Sequence, residues 1–229
     1  MKKILILIAL SIVSTLYYNK VDNQITQEDV NFITDRFIKI KVSNPYEKTY
    51  QQQLQLIKSI QHSVFVVARP MVGIEKGKPR EPKDLYLKKT GLCFDRSRVI
   101  EKILRYYGFK TRHIALYSTK ETNSTFKSLI TPGIASHAFT EVFTNKGWLV
   151  VDSNSEWLSL DRQDNPISVE GIKDNKESVK NKLKNKLPSF VYEDDFFIIY
   201  GLYSRHGMYY PPYNSIPDIN YSEFIDNFI

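Results

Sequence analysis

The sequence predicts an α+β fold: a helical N-terminal part whose last helix packs on a small antiparallel sheet. Three observations predict it. Apolar residues recur at helical spacing through the first half, as in Tyr50, Leu54, Ile57, Val64 and Ala68. The period then shortens after Gly108, where 109–117 alternates in the manner of a strand. Two short apolar runs, 137–143 and 147–152, flank a polar Thr144-Asn145-Lys146-Gly147 turn, which is a hairpin signal. Helices followed by strands, rather than alternating with them, point away from a βαβ sheet. With 229 residues, 42% of them apolar, one domain with a real core is sufficient.

Residues 1–20 read as a targeting segment. Lys2 and Lys3 precede an apolar run from Ile4 to Val13, which continues to Tyr18 with only Ser11, Ser14 and Thr15 inside it. Fifteen helical residues span about 22 Å, short of the roughly 30 Å hydrocarbon core. A secretory signal fits this better than a stable span. No A-x-A-like cleavage site follows, so an uncleaved membrane anchor stays open. The expected localisation is secreted, periplasmic or membrane-anchored.

Residues 22–229 read as a single domain with its core at about 47–160. Thr26 with Asp29 forms a capping-box pattern ahead of a helix carrying Val30, Ile33, Phe37 and Ile40, which Ser43-Asn44-Pro45 should end. A second helix is predicted over about 47–68, with Gln51, Gln52, Gln53 and Gln55 on a solvated face. Pro70, Gly73, Gly77, Pro79 and Pro82 make 69–83 a loop. A short helical turn at 84–89 leads to Gly91-Leu92-Cys93, and a helix then carries Val99, Ile100, Ile103, Leu104 and Tyr107 to a stop at Gly108. The stretch 121–136 reads as a long polar loop. Residues 153–188 read as a polar insertion with an exposed helix near 177–187, 190–203 as buried, and 204–229 as an aromatic strap.

The net charge is +7, densest at 173–186. That fits an anionic envelope or membrane surface. No zinc-finger spacing, RNP-like motif or long basic tract accompanies it, so nucleic acid is not an expected partner. No oligomer is predicted.

Cys93 is the one cysteine of the chain. At a helix start a thiol meets unpaired N–H groups and the positive end of the helix dipole, and both favour thiolate. The competing reading is a buried structural cysteine. A reactive thiol needs a base, and the base needs an orienting acceptor. Of the four histidines, His62, His113 and His206 each admit a structural role. His137 begins one hairpin strand and Asp152 ends the other. If Phe143 pairs with Lys146, His137 faces Asp152 directly. If Phe143 pairs with Trp148, Asp152 is the diagonal neighbour on the same face. The register between these puts the two on opposite faces.

The order Cys, His, Asp on a helix start and then a hairpin resembles the transglutaminase-like superfamily, the papain-related thiol fold. The matching residues are Gly91-Leu92-Cys93, Leu104-Arg105-Tyr106-Tyr107-Gly108 with Arg112 beyond it, His137-Ala138-Phe139-Thr140-Glu141-Val142, and Trp148-Leu149-Val150-Val151-Asp152. They cover about 82–152. Phe139 stands where many members have Trp. The resemblance implies a transglutaminase-like/papain-like fold and acyl transfer or hydrolysis on an amide, with Cys93 as nucleophile, His137 as base and Asp152 as orienter. It implies a peptide or protein amide substrate, and no cofactor or metal is expected. The family usually adds a second oxyanion donor from upstream, for which Gln61 and Tyr86 are candidates. Glu141, on the face of His137, either orients a further group or faces solvent. Arg112 reads as an ion-pair partner and Asp95 as a complement to the helix dipole. The alternatives are a non-catalytic binding or scaffold module of the envelope, and an acyltransferase for a small acyl group.

Overall fold

The computed structural model describes residues 2–75, 77–203 and 218–228. Helix α1 (Lys2–Tyr18) is followed by α2 (Gln27–Phe32), which starts at the Thr26–Asp29 capping box. One π turn over Ile33–Phe37 ends this helix. Ile38 is already extended, so the stop comes before Ser43-Asn44-Pro45, and Asn44 instead caps a short 3₁₀ turn. Helix α3 (Tyr50–Val67) begins at Thr49, whose hydroxyl accepts from the Gln52 N–H.

Then come β1 (Arg69–Pro70), α4 (Pro82–Lys88), β2 (Thr90–Gly91) and α5 (Cys93–Tyr106). Gly108, at φ 88°, turns the chain out of α5. Strand β3 (Thr111–Ser118) follows, then α6 (Thr125–Ile130), β4 (Ser136–Thr144) and β5 (Gly147–Val151). The remainder comprises α7 (Val169–Asp174), α8 (Lys176–Lys182), α9 (Phe190–Glu193), β6 (Phe196–Tyr200), β7 (Leu202–Tyr203), β8 (Asp218–Ile219) and α10 (Tyr221–Phe224).

The main sheet is antiparallel, in the order β5-β4-β3-β6. Its two faces are built by alternation along each strand. Leu149, Val151 and Val142 join Leu54, Ile57, Ile60, Val64, Val99, Ile100 and Ile103 in a core between the sheet and α3 and α5. Ile114, Leu116, Phe139 and Val150 point the other way, against Trp157, Val169, Ile172, Val179, Leu183 and Tyr192. The predicted α+β class and the packing of the cysteine helix on the sheet are thus present.

Four expectations are corrected. Residues 153–188 are not a polar insertion: their dispersed apolar side chains roof the second sheet face, and β6 beyond them pairs with β3. The 121–136 segment contains α6, opened by the Ser124 hydroxyl on the Lys127 N–H. The 69–83 loop opens with β1, paired in parallel with β2. Gln53 is not solvated; its amide donates to the Pro45 carbonyl at 3.0 Å and accepts from the Asn145 N–H at 2.9 Å.

The tail closes on the start of the chain. Lys20 bridges Ile219 in parallel, the Val21 N–H donates to the Ile219 carbonyl, and Tyr221 donates its hydroxyl to the Leu16 carbonyl in α1. Of the expected aromatic strap, 204–217, with His206, lie outside the described residues.

Candidate active site

The start of α5 is fixed from below by Asp95, which is fully buried. Its carboxylate accepts from the Leu92 N–H at 2.8 Å, the Ile74 N–H at 3.2 Å and Arg80 Nε at 2.7 Å. Asp95 therefore complements the dipole and also ties the end of the 69–83 loop to the cysteine turn. Gly91 lets that turn pack closely, because a Cβ there would stand 2.9 Å from a Leu85 methyl and 3.1 Å from the Asp95 Cβ, and both would have to shift. The helix start leaves the Cys93 N–H without an intrahelical acceptor.

Cys93 is partly buried and packs against the cluster that holds Phe94, Ala115, Tyr117 and Ala138. Burial by itself pushes a thiol up. Here the hydrogen bond and charge of His137, the Ala138 backbone and the charge of Arg96 outweigh it, and the thiol lies below its ordinary value.

His137 is brought to Cys93 by the hairpin. The ladder pairs Phe143 with Trp148 and Thr144 with Gly147, so Asn145 and Lys146 form a two-residue turn. This is the second of the two productive registers, with Asp152 one step beyond the last pair, Thr140–Val151. Asp152 Oδ2 lies 2.7 Å from His137 Nε2, which leaves Nδ1 for the thiol. Burial favours neutral imidazole, but Asp152 and then Cys93 raise His137 to about 10. Asp152 is held down at about 2 against its own burial, chiefly by His137.

The carboxylate is held on all sides. Oδ1 accepts from the N–H groups of Asn154 and Ser155, both at 2.7 Å, and from the Ser155 hydroxyl at 3.0 Å. Oδ2 also accepts from the Tyr192 hydroxyl at 2.8 Å. Tyr192, on α9, is fully buried and meets the His137 ring edge-on, with centroids 5.7 Å apart. The sequence reading missed it. Its signal was a tyrosine inside the apolar 190–203 run, since a buried phenol usually finds a polar partner.

The remaining candidates have other work. The Gln61 amide donates to the carbonyls of Asp152, Ser155 and Trp157, at 2.8, 3.1 and 3.0 Å. It holds the turn behind Asp152 and is not an oxyanion donor. The Tyr86 ring is taken up by Phe32, Arg36 and Lys89. Glu141 neither reaches the thiol nor faces solvent: it is fully buried, accepts from Arg112 Nε and from the Val169 N–H at 2.7 Å each, and burial raises it to about 7. Arg112 is the expected ion-pair partner, bridging Glu141 and Glu170. His62 pairs with Glu156 in solvent at 2.9 Å. Among the described residues no group of three or more His, Cys, Asp or Glu side chains is arranged to hold a metal ion.

The sequence model of the Transglutaminase-like superfamily matches residues 36–153, slightly over half of the chain, and contains Cys93, His137 and Asp152. No curated protein matches the sequence. A solved structure of a candidate cysteine protease from Cytophaga hutchinsonii is similar over 59% of this chain, at 12% identity and a TM-score of 0.32. The match covers 45% of that protein's length, and a likeness so remote carries no weight for function.

Proposed function

Because the chain belongs to the transglutaminase-like superfamily, we propose that it is a thiol-dependent enzyme acting on amides by acyl transfer or hydrolysis, with Cys93, His137 and Asp152 as its triad. One observation carries this reading: Asp152 grips His137 Nε2 while the thiol shares the other side of the ring, and the same carboxylate is locked by four further donors. An orienter so fixed selects one imidazole tautomer and stabilises the imidazolium.

The chemistry follows from that arrangement. The Cys93 thiolate attacks the amide carbonyl carbon, and the electron pair of the C=O moves to oxygen. The Cys93 N–H meets that oxyanion at the helix start. His137 delivers its proton to the leaving nitrogen, the C–N bond breaks and a thioester remains. Water, for hydrolysis, or an amine, for transfer, then attacks the thioester as His137 removes its proton. Collapse releases the acyl product and restores thiolate and imidazolium. No step calls on a cofactor.

The same reading places the enzyme at a membrane surface, supported by α1. Ile4, Leu7, Ile12 and Tyr17 lie on different sides of that helix and are 62, 66, 54 and 81% exposed. A helix apolar all round needs a non-aqueous surrounding. No described helix is long and apolar enough to cross a membrane, so α1 serves in this proposal as a targeting segment or an uncleaved anchor.

The test is alkylation of the purified protein with iodoacetamide across a pH series, wild type against His137→Ala. The expected result is a thiol that reacts well below pH 7 and loses this on substitution. A wild-type thiol inert until about pH 8–9, the range of an unperturbed cysteine, would sink the enzyme reading and leave a scaffold module.

A further inference from the structure

Arg96 follows Cys93 by three residues on the same face of α5, and it is fully buried. Its three donor groups go to neutral acceptors. Nε donates to the Ser153 carbonyl at 2.5 Å, Nη1 to the Gly91 carbonyl and Nη2 to the Asn154 side-chain carbonyl. The guanidinium also lies over the Phe65 ring, 5.5 Å from its centroid. The other strongly buried cations each have carboxylates: Arg80 has Asp95, Arg98 has Glu81, Lys102 has Asp29 and Glu81, and Arg112 has Glu141 and Glu170. Among the described residues Arg96 forms no such pair.

A buried cation without a counter-charge is unfavourable, so the surrounding charges need to be matched. The negative groups near enough to act on Arg96 are Cys93, Asp152 and Asp95. Asp95 is already paired with Arg80, and Asp152 with His137. The thiolate remains. Tyr192, the other titratable group facing this site, is held neutral by burial and donates to Asp152. The cluster then closes as three positive and three negative charges.

We propose that Arg96 is the positioning residue of this site: it buckles the Gly91 turn that presents Cys93 to the Ser153–Asn154 turn that closes around Asp152, and it is the buried counter-ion of the Cys93 thiolate. The proposal rests on Cys93 being the nucleophile. Its two roles are linked by geometry. One planar fork spans both turns, so the charge that favours thiolate stays where the nucleophile and the orienter are held together.

The experiment measures the midpoint of iodoacetamide reactivity against pH for wild type, Arg96→Gln, Arg96→Lys, Asn154→Ala and His137→Ala, with circular dichroism and thermal unfolding to select folded variants. Arg96→Gln keeps donors and removes the charge, and should raise the midpoint by about one pH unit or more, the lower end of what an adjacent opposite charge produces. Arg96→Lys should fall between Arg96→Gln and wild type. A folded Arg96→Gln with an unmoved midpoint overturns the proposal. If neither Arg96 variant folds, Asn154→Ala decides. Asn154 is exposed, and its loss frees one arm of the fork. A smaller rise supports the proposal, and no rise reduces Arg96 to a structural buckle. His137→Ala separates the two levels. If it leaves the midpoint at the wild-type value, the triad reading fails; if it moves the midpoint and Arg96→Gln does not, only the proposal about Arg96 fails.

Discussion

His113 on β3 and His137 on β4 are both withdrawn from water, at 1 and 2% exposure, and both have a carboxylate close by. Their imidazoles are driven in opposite directions. Burial takes His113 down to about 4, with Arg98 and Arg105 adding to it and Glu101 opposing. Asp152 takes His137 up to about 10 in spite of burial. The carboxylates differ in who else holds them. Glu101 accepts from Arg105 and Tyr203 at 2.7 Å each and stands 3.7 Å from His113. Apart from His137, Asp152 accepts from neutral donors alone. A neighbouring acid therefore makes a buried histidine basic only when its charge is not already matched by arginine.

The largest effect that would test this contrast comes from the two acids. Asp152→Asn should lose up to about 10⁴-fold in thiol turnover, the scale seen when an orienting carboxylate is neutralised. Glu101→Gln should leave turnover in place. Measured as labelling rates with one electrophilic probe near neutral pH, equal losses would break the distinction between the two sites.

A medium effect lies in stability against pH. His113 is neutral when folded down to about 4 and takes its proton near 6.5 when unfolded. The unfolded state then binds the extra proton, so stability is full above 6.5 and falls as pH drops towards 4, by on the order of 3 kcal/mol. His137 has the opposite sign: its pair stabilises fully below 6.5 and is lost as pH rises towards 10. Denaturant midpoints of His113→Asn should lack the acid-side decline of the wild type; an unchanged slope between these values would refute the role of His113.

The smallest effect sharpens the site itself. Tyr192→Phe removes one of five donors from Asp152. Stability should fall by about 1.5–3 kcal/mol, typical of a hydrogen bond to a charged group, while thiol labelling persists. A loss of labelling as large as that from Asp152→Asn would show that Tyr192 sets the acid's orientation.

Elements with a strong period and a good stop were legible. Helix α5 runs from Cys93 to Tyr106 and leaves at Gly108, as its spacing and glycine indicate. Strand parity left two registers that put His137 and Asp152 on one face and one that separates them, and the two-residue turn settles which of the three holds. What stayed hidden was polar and buried. Gln53 looks like a surface glutamine, and Gln61, on the buried stripe, like an oxyanion donor, yet each satisfies backbone groups of a distant turn. Arg96 and Glu141 carry charges that sequence assigns to solvent by default, and only their tertiary partners reverse that. Val169, Ile172, Val179 and Leu183 were obscured by a Lys- and Asn-rich background.

The seam between the two ends of the chain has a consequence for biosynthesis. Arg105 takes Glu223 as a partner at 2.6 Å, and the backbone N–H of His113 donates to the same residue at 2.9 Å. Both groups leave the ribosome more than a hundred residues before Glu223 is made. Until then the buried N–H of His113 waits for its acceptor, while Arg105 has the Glu101 carboxylate, and the Asn19 carbonyl waits for the N–H of Ile219. Translation thus delivers the acceptor well after the groups that need it. A nascent chain that has not yet reached Glu223 presents these unmatched backbone groups where the core should close.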